Sequence, residues 1–325
     1  MLKMVLMPLM AALAVALGGI PTVAEEYPTR PVQVIVPFGS GSGSDVIARI
    51  LFERIGSRIN QSFVIENRPA AGGNVGTAAV AKASPDGYTL LFNASGPLTI
   101  NKTLYKNLPY DPERDFEPIS LVAILPNIML VSAKLAVATV SDFVALAKKN
   151  ETSLNYSSPG NGTSTHIAGA YFAHIAGLKM THIPYRSTTQ LIGDLIAGEV
   201  PLSFLFLSSV TGPIQTGEVK ALAVTSSQRL AALPHVPTMR EAGYPAAESA
   251  GWFAVLAPKG TPKVAVDKLN RQIAEAIADP AVMAKFKDLG ALPTASTPAE
   301  LQQFISSEVV KWREVLTRTG ITIEQ

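Results

Sequence analysis

Cysteine is absent from this sequence. Its absence excludes disulfide bonds, a thiolate nucleophile, cysteine-ligated zinc and a lipid-modified cysteine after an export signal. The chain has 325 residues, of which 47% are hydrophobic, so it must be stabilised by an apolar core rather than by covalent links. That length is also sufficient for two domains.

Net charge is almost absent as well. The 27 Lys and Arg residues nearly balance the 25 Asp and Glu residues, and they form no basic cluster, so we expect no nucleic-acid partner. After the start of the chain, no segment offers the roughly 18 uninterrupted apolar residues that a membrane-spanning helix needs. At the start, Lys3 precedes an apolar stretch, and small residues precede Ala24. This pattern predicts an export signal over residues 1–24, cleaved near Ala24, and a periplasmic protein with no later membrane span.

Strand and helix patterns alternate in the rest of the sequence. "PVQVIVPF" is rich in β-branched residues, and "DVIARILFERIGSRI" follows it with apolar residues at helical spacing. Similar pairs recur along the chain, and Ser141 is expected to cap the helix in "SDFVALAKKN". Strands that alternate with helices form parallel sheets covered on both faces. The predicted fold class is therefore α/β, with mostly parallel sheets flanked by helices.

Two apolar segments indicate where the chain passes between two bodies. "PISLVAILPNIMLVSA" is long enough to cross once, and "AGWFAVLAP" is the expected return crossing. Trp252 and Phe253 in this crossing are expected to serve in hinge or core packing rather than in stacking on a ligand. The remaining C-terminal sequence is mostly helical and closes the first body. We predict a discontinuous first lobe over residues 25–124 and 252–325, a second lobe over residues 125–251, and a ligand cleft between them.

Two Gly/Ser-rich turns share one arrangement of strand, turn and helix. The first turn is "GSGSGSD", residues 39–45, and the second turn is "PGNGTSTH", residues 159–166. A helix that starts in such a turn has unpaired backbone N–H groups and a positive dipole end, which together favour an anion. One turn alone is more simply explained as a helix cap, with Ser42 and Asp45 as a capping box. Two such turns in separate lobes favour ligand binding.

Catalytic and metal-binding motifs are missing from both turns. Neither turn completes the nucleophile elbow, the phosphate loop or the dinucleotide fingerprint. The histidines lack the spacing of a helical zinc site, so we expect no metal and no cofactor. A serine hydrolase that uses Ser42 or Ser44 with His166 is the enzyme alternative, and it requires these groups within about 3 Å of each other.

Several polar side chains near strand ends are further candidates for ligand contacts. Asn93 and Ser95 follow one predicted strand, and Arg186 follows another, where it could pair with a ligand carboxylate or with a surface acid. The predicted ligand-binding residues are Phe38, Ser40, Gly41, Ser42, Gly43, Ser44, Asp45, Asn93, Ser95, Asn161, Gly162, Thr163, Ser164, His166, Tyr185, Arg186 and Phe206.

An ordered set of segments resembles the substrate-binding proteins of tripartite tricarboxylate transporters, the Bug receptors. The segments are "YPTRPVQVIVPFGSGSGSDVIARI", "VIENRPAAGGNVGTAAVAKASPDGYTLLF", "LYKNLPYDPERDFEPISLVA", "LNYSSPGNGTSTHIAG" and "LAVTSSQRLAALPHVPTMREAGYP". The resemblance implies a two-lobed periplasmic binding protein of type II-like architecture, whose lobes are joined by crossing strands. It also implies that a small carboxylate is held between the two turns and delivered to the small and large membrane subunits of a transporter.

The resemblance maps the family's first turn onto residues 38 and 41–45 and its second turn onto Gly160, Gly162, Thr163 and His166. Ser42 replaces a glycine common in the family, and Leu205 lies near a position where many relatives carry Asp, which implies a less polar distal end of the ligand. From these implications we expect a monomeric solute receptor rather than an enzyme. A sensor that docks onto a signalling partner is the other alternative.

Overall fold

A computed structural model describes residues 27–149 and 154–322. The predicted export signal, residues 1–24, lies outside the described residues. The strands are β1 Val32–Val36, β2 Phe63–Asn67, β3 Thr89–Ala94, β4 Phe116–Pro126, β5 Ile128–Ser132, β6 Leu154–Ser158, β7 Met180–Pro184, β8 Leu202–Leu205, β9 Val219–Val224, β10 Ala250–Pro258 and β11 Leu292–Pro293. The helices are α1 Gly43–Ile59, α2 Asn74–Ala81, α3 Asn101–Leu104, α4 Val140–Lys149, α5 Ser164–Ala176, α6 Thr188–Ala197, α7 Leu207–Gln215, α8 Lys263–Ile277, α9 Pro280–Asp288 and α10 Pro298–Thr319.

The strands form two separate sheets, flanked by helices as the alternating sequence pattern predicts. The first sheet has the order β11-β4-β10-β3-β1-β2, and the second has the order β7-β6-β8-β5-β9. Both sheets are mixed rather than mostly parallel. In the first sheet β1 pairs in parallel with β2 and β3, whereas β10 is antiparallel to β3 and β4. In the second sheet β6 is parallel to β7 and β8, whereas β5 is antiparallel to β8 and β9.

Each sheet has its own apolar core. In the first lobe, β-branched residues of β1 and apolar residues of α1 pack with the C-terminal helix α8, for example through Val34, Leu51 and Ile273, all fully buried. In the second lobe, Phe143, Phe172 and Phe204 are the largest fully buried side chains of the corresponding cluster. The C-terminal helix α8 therefore packs against the first sheet, whereas the discontinuous first lobe over residues 25–124 and 252–325 stays a prediction.

The two crossings between the sheets lie side by side. The chain leaves the first sheet at the end of β4 and enters the second at β5, with Asn127 between them, and it returns at the start of β10. Asn127 accepts a hydrogen bond from the Thr225 amide at 2.9 Å, and the Ser249 amide donates to Thr225 at 3.0 Å. The return strand β10 coincides with "AGWFAVLAP", and Trp252 and Phe253 are buried in the core. The exact lobe limits, at residues 124/125 and 251/252, stay predictions.

Ser42 caps α1 as the sequence predicts, but the predicted cap of α4, Ser141, is wrong. That helix begins at Val140, and the Asp142 amide donates to the Thr139 hydroxyl at 3.0 Å, so Thr139 rather than Ser141 caps it. Across residues 27–149 and 154–322, no helix combines the length and the apolar character needed to cross a bilayer.

Candidate functional site

The first turn connects the buried strand β1 to α1. Gly41 has a φ of +76°, a conformation that favours glycine, and it allows the chain to reverse before the helix starts. Ser42 caps α1, because its hydroxyl accepts the amide N–H of Asp45 at 3.3 Å. The Ser42 hydroxyl also lies 3.1 Å from that of Ser44. The turn is thus fixed by its own hydroxyls, while the first amides of α1 remain available.

Asp45 completes the turn but turns its carboxylate towards its own lobe. The carboxylate accepts the Gly41 amide at 2.9 Å and the Asn67 side chain at 2.9 Å, and it pairs with Arg49 at 2.9 Å. Burial acts to raise the pKa of this carboxyl, but the hydrogen bonds from Arg49, Gly41 and Asn67 outweigh it and hold the pKa below its usual range. The reciprocal bond of a capping box is therefore replaced by one to Gly41, and Asp45 holds the turn in shape.

The second turn repeats this design between β6 and α5. Gly160 and Gly162 have φ values of +138° and +77°. Thr163 caps α5, because its hydroxyl accepts the His166 amide at 3.2 Å and donates to the carbonyl of Gly160 at 2.8 Å. Thr165 adds a second hydroxyl, 3.0 Å from that of Thr163. The first amides of α5 are again left without a helical partner.

One buried histidine, His166, and one half-buried histidine, His182, support the second turn. The Gly162 amide donates to Nδ1 of His166 at 3.1 Å, and Nε2 of His182 lies 2.7 Å from the Ser158 hydroxyl, which accepts the Gly160 amide at 3.2 Å. The two imidazole rings lie 4.0 Å apart. Burial lowers the pKa of His166 to about 4, and burial together with the neighbouring His166 lowers that of His182 to about 2. Both rings are therefore neutral at pH 7, and each is engaged with the turn.

The two helix starts line one inner cavity of about 40 Å³ between the lobes. By the space that a buried water needs, this volume holds about three water-sized groups, which matches a carboxylate. The first lobe contributes Phe38, Ser42, Gly43, Ser44, Ala94 and Phe253. The second lobe contributes Pro159, Thr163, Ser164, Thr165, Thr188, Leu205, Phe206 and Ser209.

The lobes touch around the inner cavity through glycines. A Cβ on Gly43 would approach the Ser208 hydroxyl to 2.5 Å, and one on Gly162 would overlap the side chain of Asn101. At the outer rim, the Tyr105 hydroxyl donates to the Asn161 carbonyl at 3.2 Å. These contacts join the first lobe to the second, so both lobes enclose the inner cavity.

An outer cavity of about 730 Å³ lies next to the inner one. Phe38, Pro159 and Thr188 line both cavities. Tyr105, Tyr185 and Arg186 line the outer cavity alone. Arg186 is exposed, and in the described part of the chain it forms no ion pair. The Tyr185 hydroxyl instead donates to Asp194 at 2.8 Å.

The structure gathers most of the predicted site residues around these two cavities. Inner or outer cavity walls include Phe38, Ser42, Gly43, Ser44, Asn161, Thr163, Ser164, Tyr185, Arg186 and Phe206. Gly41, Asp45, Gly162 and His166 shape the turns from behind, and Ser40 is an exposed residue whose hydroxyl lies 3.5 Å from the Asp45 carboxylate. Asn93 and Ser95 are buried in the first lobe outside both cavity walls, and Asn93 donates to Thr77 at 2.8 Å.

Sequence reasoning missed Tyr105, Thr188 and His182. Thr188 begins α6, whose cap Ser187 directly follows Arg186, so the "RST" segment carried a usable signal. His182 pairs in register with Tyr156 of β6, a relationship that appears only once β6 and β7 are known to be neighbours. Tyr105 lies in a loop after α3 and carries no local pattern.

Known proteins share this fold. The periplasmic binding protein BugD superimposes with a TM-score of 0.88 at 35% identity, over 92% of this chain and 100% of BugD. Rpa4515 of R. palustris, solved with adipate, gives a TM-score of 0.89 at 34% identity, over 91% of this chain and 99% of Rpa4515. MatC of Rhodopseudomonas palustris, solved with bound malate, gives 0.85 at 30% identity, over 89% and 100% of the two chains.

The similarity to these proteins extends over both lobes, as the resemblance of the sequence implied. The family model described as "Tripartite tricarboxylate transporter family receptor" matches residues 47–321, which include the second turn, both crossings and all of the C-terminal helices. The two-lobed α/β fold of a periplasmic binding protein is thereby confirmed. The chain belongs to the tripartite tricarboxylate transporter receptor family.

Proposed function

We propose that this protein is a periplasmic receptor that binds a small carboxylate between its lobes and delivers it to the membrane subunits of a tripartite tricarboxylate transporter. The observation that carries the proposal is the meeting of two helix starts, α1 and α5, from different lobes in one cavity of about 40 Å³. The first amides of both helices are unpaired within the helices and carry the positive ends of the two dipoles. A carboxylate is the small anion that fits this volume and donor set.

Two kinds of donor support this assignment. Backbone N–H groups at Gly43, Ser44, Ser164 and Thr165 belong to the first turns of the helices, and the hydroxyls of Ser44 and Thr165 lie beside them. Hydrogen bonds from fixed amides to an ion are stronger than those between neutral groups. The adipate and malate bound to Rpa4515 and MatC are also carboxylates, which favours the same class of ligand for this chain.

We also infer that the protein releases its ligand unchanged. Ser42 is occupied as a helix cap, and Nδ1 of His166 accepts the Gly162 amide, so neither group is arranged as a nucleophile with its base. Within the described residues no hydrogen bond joins Ser42 or Ser44 to His166. A hydrolase would need that contact, whereas a receptor needs only the two rigid turns and the crossing strands.

Thermal unfolding with a panel of ligands tests the binding step. We expect at least one of acetate, malate, adipate, citrate and benzoate to raise the melting temperature, whereas the uncharged diamide of adipate does not. The Gly43→Ala variant should lose this response, because its Cβ would meet Ser208 and Phe206 across the cavity. Gly193→Ala is the control, since no atom lies within 4 Å of its added Cβ. If no acid raised the melting temperature of the unmodified protein, the receptor proposal would be lost.

Transport requires a separate measurement. Vesicles that contain the two membrane subunits should accumulate a radiolabelled acid from the panel only when the receptor is added outside. Binding without uptake would separate a receptor of this fold that serves a signalling partner from one that serves the transporter.

A further inference from the structure

The outer cavity has a distinctive distribution of charge. Among the residues that the structure describes, Arg186 is the only charged one in its wall, and neither Asp nor Glu lines it. Arg186 is exposed and has no ion-pair partner in residues 27–149 and 154–322. This contrasts with Arg49, which is bound to Asp45 beside the first turn. The Arg186 guanidinium therefore lies in the outer cavity wall, and no acidic side chain of the described residues pairs with its charge.

The rest of the outer wall supplies shape rather than charge. Tyr105, Tyr185 and several prolines make up much of it, and the Tyr185 hydroxyl is already bound to Asp194. Asn107 and Asn161 are the remaining amide side chains. A ligand body that is apolar or weakly polar fits these walls, because strongly polar groups would lose water there without finding partners.

The inner and outer cavities share three wall residues. Phe38, Pro159 and Thr188 belong to both walls, so the two cavities are neighbours, and a ligand whose carboxylate occupied the inner cavity would reach the outer one beside these three residues. Arg186 stands two residues before Thr188, and α6 starts at Thr188 with Ser187 as its cap. The positive end of the α6 dipole and the Arg186 charge therefore both lie near Thr188, where the two cavity walls meet, and both favour an anion there.

We propose that Arg186 binds a second anionic group, so that the ligand carries two anions separated by an uncharged body. This inference rests on the proposed function, since the first anion is the carboxylate held by the two turns. A planar guanidinium can bind a carboxylate through two parallel hydrogen bonds, which a lysine cannot do. A ligand with a distal ammonium group would instead be repelled by Arg186 and would meet no acid among the described residues of the outer wall. The proposal replaces the expectation of a less polar distal end, because Leu205, on which that expectation depends, lines the inner cavity and not the outer one.

Matched pairs of acids test the inference by calorimetry. Each pair differs by one carboxylate: adipate and hexanoate, terephthalate and benzoate, malate and 3-hydroxybutyrate, with 6-aminohexanoate as the cationic probe. In the unmodified protein we expect the diacid of at least one pair to bind roughly tenfold tighter than its monoacid, the size of one charged hydrogen-bonding contact. The ammonium probe should bind more weakly than hexanoate.

Variants at Arg186 then assign the effect. Arg186→Gln should weaken binding of the diacid by roughly tenfold and binding of the monoacid by less than about twofold. The affinity of Arg186→Lys for the diacid should lie between those of the unmodified protein and Arg186→Gln. Arg271→Gln is the control for lost charge, because Arg271 is an exposed residue of α8 outside both cavity walls. This variant should change neither the affinity for the diacid nor that for the monoacid.

The outcomes separate this inference from the proposed function. If no acid of any pair binds, the proposed function fails and this inference fails with it. If acids bind but diacids have no advantage, or if Arg186→Gln weakens both members of a pair equally, the receptor function stands and the role of Arg186 is overturned.

Discussion

The amide of Gly162 donates a hydrogen bond to Nδ1 of His166, four residues further along the chain, at 3.1 Å. The bond needs a neutral imidazole, because a protonated ring has no acceptor at Nδ1. The centre of the His182 ring lies 4.0 Å from that of His166, with the two rings tilted by 31°. His182 also contacts the Ser158 hydroxyl, which accepts the Gly160 amide. The shape of the second turn is thus linked to the protonation of two rings that do not line the inner cavity.

This link predicts a loss of stability in mild acid. The folded-state pKa values of His166 and His182 are lowered to about 4 and about 2, whereas an unfolded histidine titrates near pH 6.5. Below about pH 6.5 the unfolded chain therefore binds more protons, and the free energy of unfolding should fall as the pH falls towards 4. In His182→Gln the slope should be shallower by about one proton, or about 1.4 kcal/mol per pH unit.

Denaturant unfolding at several pH values between 7 and 4.5 measures these slopes. His174→Gln is the matched control, because His174 is exposed on the same helix as His166 and should leave the slope unchanged. Other titratable groups near the pair, namely Tyr156 and Lys179, are common to all the variants. Equal slopes for the unmodified protein and His182→Gln would show that the pair does not stay neutral.

Gly162 has a second role at the contact between the lobes. Its φ of +77° strains any other residue, and an added Cβ would overlap Asn101 of the first lobe. We expect Gly162→Ala to weaken the binding of a panel acid at least tenfold, because the lobes could no longer meet around the ligand. Isothermal titration with the acid that most raises the melting temperature gives the affinity.

Gly177→Ala separates backbone strain from this contact. Gly177 ends the same helix with a φ of +64°, but nothing lies within 4 Å of an added Cβ. This variant should lose about 1 kcal/mol of stability and keep its affinity. A similar loss of affinity in both variants would mean that strain alone, and not lobe contact, explains Gly162.

The sequence predicted the fold class because the information for each element is local. β-branched runs, helical spacing and caps are read within about 15 residues, and the return crossing coincides with β10. Strand direction could not be read in this way. Whether β10 lies beside β3 and β4, and therefore antiparallel to them, depends on where the chain returns after the whole second lobe. The sheets are mixed for that reason.

In the candidate site, too, locally encoded features were predictable from the sequence, and features that depend on distant parts of the chain were not. Both turns and their caps, Ser42 and Thr163, were predictable because a Gly/Ser turn before an amphipathic helix has a local signature. The orientation of Asp45 was not, because its partner Asn67 comes from β2, 22 residues away. The cavity-lining role of Tyr105 depends on contact with the other lobe, 56 residues further along the chain, which no local pattern encodes.

Asp45 should therefore matter for stability. Asp45→Asn removes the charge that Arg49 and the Gly41 amide bind while keeping the size of the side chain. We expect the free energy of unfolding, measured in urea, to fall by about 2 kcal/mol. The Asp45 side chain is only 3% exposed, so water cannot replace its lost hydrogen bonds, whereas the half-buried Arg49 can be partly rehydrated. Asp267→Asn, which breaks an exposed pair with Lys263, should change stability by less than about 0.5 kcal/mol.

Tyr105 offers a test of closure that leaves each lobe intact. Its hydroxyl donates to the Asn161 carbonyl across the outer rim at 3.2 Å, and this bond can exist only while the lobes are together. Tyr105→Phe should therefore weaken an acid ligand by about threefold to tenfold, the value of one partly exposed hydrogen bond, and leave the ligand-free melting temperature within about 1 °C. Tyr88→Phe is the control, because the Tyr88 hydroxyl contacts Thr29 within the first lobe. Stopped-flow binding should place the Tyr105→Phe effect in the dissociation rate, since a rim contact forms after the ligand has entered. An unchanged dissociation rate would show that Tyr105 does not hold the lobes together.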